Sequence, residues 1–157
     1  MDYLENKPSR NLMGAYANIY GSPKYPNIFG LMRFYQTAYG VWIEADLSNL
    51  PPNGSGFYGL HIHEKGNCYN SDTGDYFSGT GGHYNPQNTA HPLHAGDMPV
   101  LMSTMHGQAK LQFLTDRFTI RDITSRSVII HFMPDDYRSQ PSGESGERIA
   151  CGVISAM

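Results

Sequence analysis

The sequence predicts an all-β protein in which seven or eight short strands form an antiparallel β-sandwich or barrel with two long loops. Most apolar stretches alternate apolar and polar residues at every second position, which is typical of half-buried strands. The 157 residues include 17 glycines and 10 prolines, which favours a loop-rich protein over a helical bundle. The chain shows no convincing amphipathic helical pattern and no internal repeat.

The first half of the chain predicts four strands. Residues 1–12 are polar and without periodicity, so we expect a loose tail or an edge extension. In GAYANIYGS, residues Ala15, Ala17 and Ile19 alternate with polar or aromatic residues, which predicts a strand that ends at Gly-Ser. The strands predicted next cover 28–37, 40–47 and 56–64, and the PPNGSG segment at 51–56 is a strong turn signal before the last of them.

The second half predicts the two loops and the remaining strands. Residues 66–99 contain many glycines and prolines and are predicted to form a long loop. A loop of this length usually has a function or is fixed by a bound group, and here a metal could fix it. Residues 134–147 form a second, polar loop. Strands are predicted over 107–114, 117–120 and 127–132, and the chain ends with the apolar strand RIACGVI, residues 148–154.

Composition excludes several classes of protein. The length is that of a single domain, residues 1–157, with a core large enough to fold alone. The net charge is −3 and no basic stripe is present, which argues against nucleic acid as a partner. No apolar run reaches about 18 residues, so we expect no membrane span. The first residues lack the basic-then-apolar layout of a secretion signal, so the sequence leaves the export of the protein open.

The segment from Gly56 to Asp97 contains five of the seven histidines, and two of them form a His-x-His motif. Because residues two apart on a strand point to the same face, His61 and His63 can reach one metal while Ile62 points into the core. The motif alone is moderately specific.

A second group of potential ligands lies in the glycine-rich loop. His83, His91, His94 and Asp97 follow the spacing H-x7-H-x2-H-x2-D, and three imidazoles with one carboxylate form a tetrahedral ligand set for zinc. His131 ends the apolar run SVII, where a strand interior would continue with an apolar residue. These six histidines and Asp97 suffice for two metals if one imidazole is shared, whereas we expect His106 to have no metal role.

The two cysteines allow two interpretations from the residues alone. Cys68 and Cys151 are either two buried thiols or a disulfide between the central loop and the last strand. In the chain-entropy model such a disulfide would contribute roughly 3–5 kcal/mol to the free energy of unfolding. A stable disulfide would also favour an oxidising compartment for the protein.

Several motifs, in order along nearly the whole chain, resemble the copper/zinc superoxide dismutases. GLHIHEKGNC resembles the copper motif of that family, followed by the shortened, cysteine-bearing loop of its bacterial members. GGHYNP is similar to its bridging-histidine motif, HPLHAGDMPVL to the bacterial zinc-loop ending, and ERIACGVI to its C-terminal signature. The segments GAYANIYGS, FGLMRFYQ and GVWIEADLSNLPP resemble its first three strands.

The resemblance implies an eight-stranded, immunoglobulin-like Greek-key β-sandwich or barrel with one copper and one zinc ion per chain. It implies dismutation of two superoxide anions to dioxygen and hydrogen peroxide, with copper alternating between Cu(II) and Cu(I) and with Arg148 guiding the anion. His83 would bridge the two metals as an imidazolate and return a proton to the product. The residues implied are His61, His63, His83 and His131 for copper; His83, His91, His94 and Asp97 for zinc; Asp135 linking a copper histidine to a zinc histidine; and Cys68 with Cys151 as a disulfide.

The sequence departs from the eukaryotic members in two places. The loop between His91 and His94 is short, and the loop at 134–147 lacks their steering cluster of lysines and glutamates, so a role for Arg138 or Lys65 stays open. Both features fit a bacterial-type member outside the cytoplasm, although the chain itself does not exclude the cytoplasm. Oligomeric state is not derivable, and the candidate partners are a second copy and a copper-delivery protein.

Two other functions compete with dismutation. A metal-handling relative that has kept the fold would need neither the full bridged ligand set nor the arginine. A cupin-type mononuclear oxygenase also uses His-x-His on a β-barrel, but it would leave His83, His91, His94 and Asp97 without a purpose.

Overall fold

The computed structural model describes residues 13–69 and 74–157, so the predicted tail at 1–12 lies outside the described residues. The described residues form short strands, one 3₁₀ turn and one short helix. None of their helices is long and apolar enough to cross a membrane. In chain order the elements are β1 (Gly14–Gly21), β2 (Phe29–Thr37), β3 (Gly40–Ser48), β4 (Phe57–Tyr58), β5 (Leu60–His63), the 3₁₀ turn (Ser78–Thr80), β6 (Leu101–Met102), β7 (Ala109–Thr115), α1 (Ile120–Ile123), β8 (Ser127–His131), β9 (Arg148–Val153) and β10 (Ser155–Ala156).

Eight strands form one antiparallel sheet in the order β5-β8-β9-β1-β2-β3-β7, with β10 paired to β1. The consecutive strands β1, β2 and β3 lie side by side, and the much later strand β9 lies on the other side of β1, an arrangement that resembles a Greek key. The small ribbon of β4 and β6 continues into β5 and meets β7 through a bridge between Ser103 and Ala109. It therefore links the two edges of the curled sheet, and the predicted fold class is confirmed.

The predicted alternation decides which faces of the strands are buried. Ala15, Ala17 and Ile19 of β1 are completely buried, and so are Val41 and Ile43 of β3. Their intervening neighbours are half-buried or exposed. These side chains join the main apolar core, which also contains Met32, Phe34, Leu60, Ile62, Leu101 and Ile130.

The predicted strand at 117–120 is wrong. The chain instead enters the short helix α1, and Thr119 forms a capping box with Asp122, in which each side chain bonds the backbone N–H of the other residue. This local pair satisfies N–H groups that a strand would have used in a ladder. Two further strands, β6 and β10, are only two residues long and were not predicted because so short a run carries no periodicity.

The long loop between β5 and β6 is held from outside by two arginines. Arg117 donates from Nη1 to the carbonyl oxygens of Pro92 at 3.0 Å and of His94 at 3.1 Å. Arg126 donates to the carbonyl oxygen of Glu64 at 2.7 Å and lies 3.9 Å over the ring of Tyr84. Both arginines come from the connection around α1, so this connection fixes the two ends of the loop.

We expect Arg117→Ala to lower the free energy of unfolding by about 1 kcal/mol, because two loop carbonyls lose a charged donor. Arg121→Ala is the matched control, since Arg121 is exposed on the neighbouring helix and its side chain makes no bond to the rest of the described chain. Urea unfolding of the two variants measures the difference. Equal stability of Arg117→Ala and Arg121→Ala would contradict the role of Arg117 in holding the loop.

Candidate metal centre

The first three histidines meet on two adjacent strands. β5 pairs with β8 so that His61 lies opposite Ile129 and His63 opposite Ser127. Two positions beyond Ile129 on the same face lies His131, whose backbone N–H donates to the carbonyl oxygen of Gly59. Ile62, between the two β5 histidines, is fully buried in the core, as predicted.

The loop brings the remaining ligands to the free edge of β5. Ile62 donates its N–H to the carbonyl oxygen of Gly96 at 2.9 Å and accepts one from Tyr84 at 2.8 Å. Isolated β-bridges consequently join His61 to Asp97 and His63 to His83. The loop thus completes the edge of the sheet and places its own ligands beside those of the strand.

The first group contains His61, His63, His83 and His131, all buried, with one potential ligand atom from each within 4.8 Å of the others. Backbone carbonyls orient two of the rings from behind. Nδ1 of His63 lies 2.9 Å from the carbonyl oxygen of Gly81, and Nδ1 of His131 lies 3.1 Å from that of Gly146. Their Nε2 atoms therefore face each other at 3.4 Å across the centre of the group.

The second group contains His83, His91, His94 and Asp97, again buried and with ligand atoms within 4.8 Å of one another. Asp97 oxygens lie 2.8 Å from Nδ1 of His83, 3.0 Å from Nδ1 of His91 and 3.3 Å from Nδ1 of His94. All three imidazoles thus turn the same nitrogen toward the carboxylate. His83 belongs to both groups.

Asp135 connects the two groups from behind. One carboxylate oxygen lies 2.7 Å from Nε2 of His61, and the other lies 2.8 Å from Nε2 of His91. The backbone of Tyr137 donates a further hydrogen bond at 2.7 Å. A Cβ on Gly143, which has a φ of 74°, would lie 2.0 Å from Oδ1 of Asp135, so a glycine is needed there. A carboxylate bonded to both rings fixes their orientation and tautomer.

Three buried ring nitrogens in this cluster have no hydrogen-bond partner among the described residues: Nδ1 of His61, Nε2 of His83 and Nδ1 of His91. Nδ1 of His91 lies 3.0 Å from Asp97, but this contact does not have hydrogen-bond geometry. Leaving buried polar atoms unsatisfied is costly. Metal ions would satisfy all three, because each of these atoms belongs to one of the two ligand groups. Four imidazoles suit copper, and three imidazoles with a carboxylate suit zinc, so the residues fit both ions.

Burial keeps the imidazoles of His61, His63 and His131 in the neutral form that binds metal, because it lowers the pKa of each. It lowers the pKa of His131 to about 3. Burial, followed by the neighbouring imidazole of His131, holds the pKa values of His61 and His63 well below the ordinary value. Burial opposes ionisation of Asp97, yet the hydrogen bond from His83 and the nearby imidazoles lower its pKa overall. Neutral imidazoles and an ionised carboxylate are the forms that coordinate metals.

A pocket of about 420 Å³ opens onto the histidines. Arg148 starts β9 opposite His131, is half-buried, and lines this pocket together with His63, His83 and His131. Burial lowers the pKa of the Arg148 guanidinium and the carboxylate of Asp75 raises it, although arginine keeps its charge in proteins. The full lining is His63, Glu64, Gly82, His83, Asn85, Asn88, His94, His131, Pro141, Ser142, Gly146 and Arg148.

Among the remaining residues singled out in the sequence, the two cysteines support the loop, whereas Lys65, Arg138 and His106 lie away from the pocket. Cys68 and Cys151 form a disulfide with an S–S distance of 2.05 Å, which fixes the start of the loop to β9. Lys65, Arg138 and His106 are exposed and do not line the pocket.

Several residues that shape the site were not found in the sequence. Thr80 and the carbonyl of Phe77 accept hydrogen bonds from Arg148. The side chain of Gln140 pairs with the backbone of His91, accepting from its N–H at 3.0 Å and donating to its carbonyl at 2.6 Å. These hydrogen bonds join residues that are between 49 and 71 positions apart in the sequence, so no local sequence pattern predicts them.

Comparison with known proteins agrees with this geometry. The family model described as copper/zinc superoxide dismutase (SODC) matches residues 28–154. "Superoxide dismutase [Cu-Zn]" from Legionella pneumophila is 41% identical over 145 residues, which cover 88% of this chain and 85% of the relative. "Superoxide dismutase [Cu-Zn] 1" from Aquifex aeolicus is 38% identical over 139 residues, which cover 80% of this chain and 79% of the relative.

A solved structure extends the likeness to the fold. The copper/zinc superoxide dismutase from Brucella abortus superposes with a TM-score of 0.77 at 27% sequence identity, and the match covers 89% of this chain and 98% of that one. The matching family model spans most of the chain, and the bacterial relatives match over most of their own length. The chain therefore belongs to the copper/zinc superoxide dismutase family.

Proposed function

We propose that the two ligand groups and Arg148 form the active centre of a superoxide dismutase. In this proposal His61, His63, His83 and His131 hold copper, whereas His83, His91, His94 and Asp97 hold zinc. The observation that carries it is His83, which contributes one nitrogen to each buried group while Arg148 shares the pocket above. When bound, copper supplies one-electron exchange with superoxide in both directions, and zinc supplies a fixed charge beside it.

Arg148 would bind and orient the substrate. Superoxide is an anion and the chain carries a net charge of −3, so fast capture needs a local positive charge near the histidines. The guanidinium lies in the pocket wall with His63 and His131, and its fork can hydrogen-bond a small anion.

His83 would supply a proton to the product. Its Nε2 is buried, has no hydrogen-bond partner within the described ranges, and faces the same group as the other copper histidines. Its Nδ1 lies 2.8 Å from Asp97 on the side of the zinc group, so zinc bound there would hold the ring in place whether or not Nε2 carries a proton. A proton held at Nε2 can therefore pass to peroxide formed in the pocket.

The disulfide between Cys68 and Cys151 supports the proposal that the protein functions in an oxidising compartment. We therefore place the protein outside the cytoplasm, in the periplasm, the cell envelope or the medium. A homodimer and a copper-delivery partner stay predictions, as does the formation of one domain by residues 1–157.

Decay of superoxide tests the function most directly. Protein loaded with one copper and one zinc per chain should catalyse the decay at a rate near the diffusion limit, and the rate should fall as ionic strength rises. Tight binding of both metals without catalysis would favour the alternative, a metal-handling protein with the same ligand set.

We expect Arg148→Ala to lower the superoxide rate constant about ten- to hundredfold and to flatten its salt dependence, because the local charge is lost. Copper and zinc contents should not change. Arg148→Lys should recover part of the rate, since it restores the charge without the fork. Arg121→Ala, which changes a cation outside the pocket lining, is the control. Pulse radiolysis measures these rates, and unchanged kinetics for Arg148→Ala would remove Arg148 from the mechanism.

We expect Asp135→Asn to weaken the binding of both metals about 10- to 100-fold, because an amide cannot accept from two imidazoles. Asp135 contacts one histidine of each group, so copper and zinc should both be affected. Chelator competition measures the two affinities separately. Asp136→Asn is the matched control, since the neighbouring Asp136 is exposed and caps only its own turn. An affinity loss confined to one metal, or shared by Asp136→Asn, would contradict this role.

A further inference from the structure

We propose that Thr80 is a positioning residue for Arg148, and that its buried hydroxyl fixes the guanidinium in the orientation that receives the anion. The proposal deepens the reaction above and rests on the proposed role of Arg148. Thr80 ends the 3₁₀ turn, three positions before the bridging candidate His83, and its side chain is completely buried.

The contact is a triangle of three short hydrogen bonds. Nη1 of Arg148 donates to Oγ1 of Thr80 at 2.9 Å and to the carbonyl oxygen of Phe77 at 2.9 Å. Oγ1 of Thr80 in turn donates to the same carbonyl at 2.7 Å. It also lies 3.4 Å from Nδ1 of His63, so the test must separate an effect through Arg148 from one through this histidine. Nη1 carries two hydrogens, and these two acceptors take both of them. The donors on Nε and Nη2 play no part in the triangle, so one end of the fork is fixed without using the other.

The acceptors are themselves held rigidly. Phe77 has a φ of 64° and a ψ of 19°, an uncommon left-handed conformation that points its carbonyl toward the turn. Its ring is buried against Ile129 and Cys151, next to the disulfide. The backbone of Thr80 is fixed on both sides, because its N–H donates to Phe77 at 3.1 Å and its carbonyl accepts from Lys65 at 3.0 Å.

A hydroxyl is the group that this position needs. It can accept from the cation with one lone pair and still donate its single hydrogen to the carbonyl. A methyl in its place would leave one hydrogen of a half-buried guanidinium without an acceptor, and hydrogen bonds to charged groups contribute more than neutral ones. The free side chain of an arginine has several rotamers, so loss of this acceptor would let the fork move away from the pocket.

The test compares Thr80→Val, which removes the hydroxyl, with Thr80→Ser, which keeps it. Ser78→Ala is the control, because Ser78 is an exposed member of the same turn. The readouts are metal content, the thermal unfolding midpoint, the affinity of azide for the copper-loaded protein from its visible spectrum, and the superoxide rate constant. Azide serves as a small-anion probe that does not require turnover.

We expect Thr80→Val to bind azide about three- to tenfold more weakly and to lose a similar factor in the superoxide rate constant, with both metals retained. Thr80→Ser should restore both values, and Ser78→Ala should match the unchanged protein. In an Arg148→Ala background, Thr80→Val should have no further effect on azide, because a double-mutant cycle isolates action through Arg148.

Three results would overturn the proposal: azide affinity unchanged in Thr80→Val, an equal loss in Ser78→Ala, or an undiminished effect of Thr80→Val when Arg148 is already alanine. If Thr80→Val does not fold, Thr80→Ala removes the same hydroxyl without adding a second methyl group and takes its place in the cycle. A protein that binds azide but does not consume superoxide would refute the proposed dismutase function. The double-mutant cycle on azide affinity would still test whether Thr80 acts through Arg148.

Discussion

The structure depends on the burial of six imidazoles and two carboxylates in one place beside the edge of a sheet. Taking so many polar groups out of water is costly unless each polar atom has a partner. The protein supplies partners for the outer atoms: carbonyl oxygens for His63 and His131, and Asp135 for His61 and His91. The inner atoms are left facing one another, and metal ions complete them. The fold therefore supplies hydrogen bonds to the outer atoms of these side chains, and the metal centre supplies ligand bonds to the inner atoms.

This constraint accounts for the elaborate support of the long loop. A loop rich in glycine has much conformational freedom to lose, and the ligands that it carries must meet β5 in register. The disulfide at Cys68, the cation over Tyr84, the clamp of Arg117 and the pairing of Ile62 with two loop residues all restrict that freedom. Each contact fixes a different part of the loop, and β5 gains hydrogen-bonding neighbours that an exposed sheet edge would lack.

The sequence predicts the parts of the molecule that depend on short spacing. Alternation identifies the buried faces of β1 and β3, and His-x-His needs only a strand to bring its rings together. The family resemblance supplies the shared ligand His83 and the disulfide, which spacing alone leaves open. Contacts between distant residues escape prediction, such as the contact of Thr80 with Arg148 across 68 positions. The error at 117–120 has a local cause, because the capping box of Thr119 and Asp122 outweighs a weak strand signal.

The outer hydrogen bonds also bear on the chemistry. A redox centre works fastest when its ligands hold the same positions before and after electron transfer, because little must then reorganise. Here the ring orientations are set by Gly81, Gly146 and Asp135, none of which takes part in electron transfer. In the proposed mechanism, protonation of Nε2 of His83 would then occur while the zinc group on its Nδ1 side, which contains Asp97, keeps the ring in place. The same division would extend to Arg148 in the proposed mechanism, since Nη1 is bonded to Phe77 and Thr80 and the anion would meet the other edge of the guanidinium. Rigid outer contacts thus leave the inner atoms free to react.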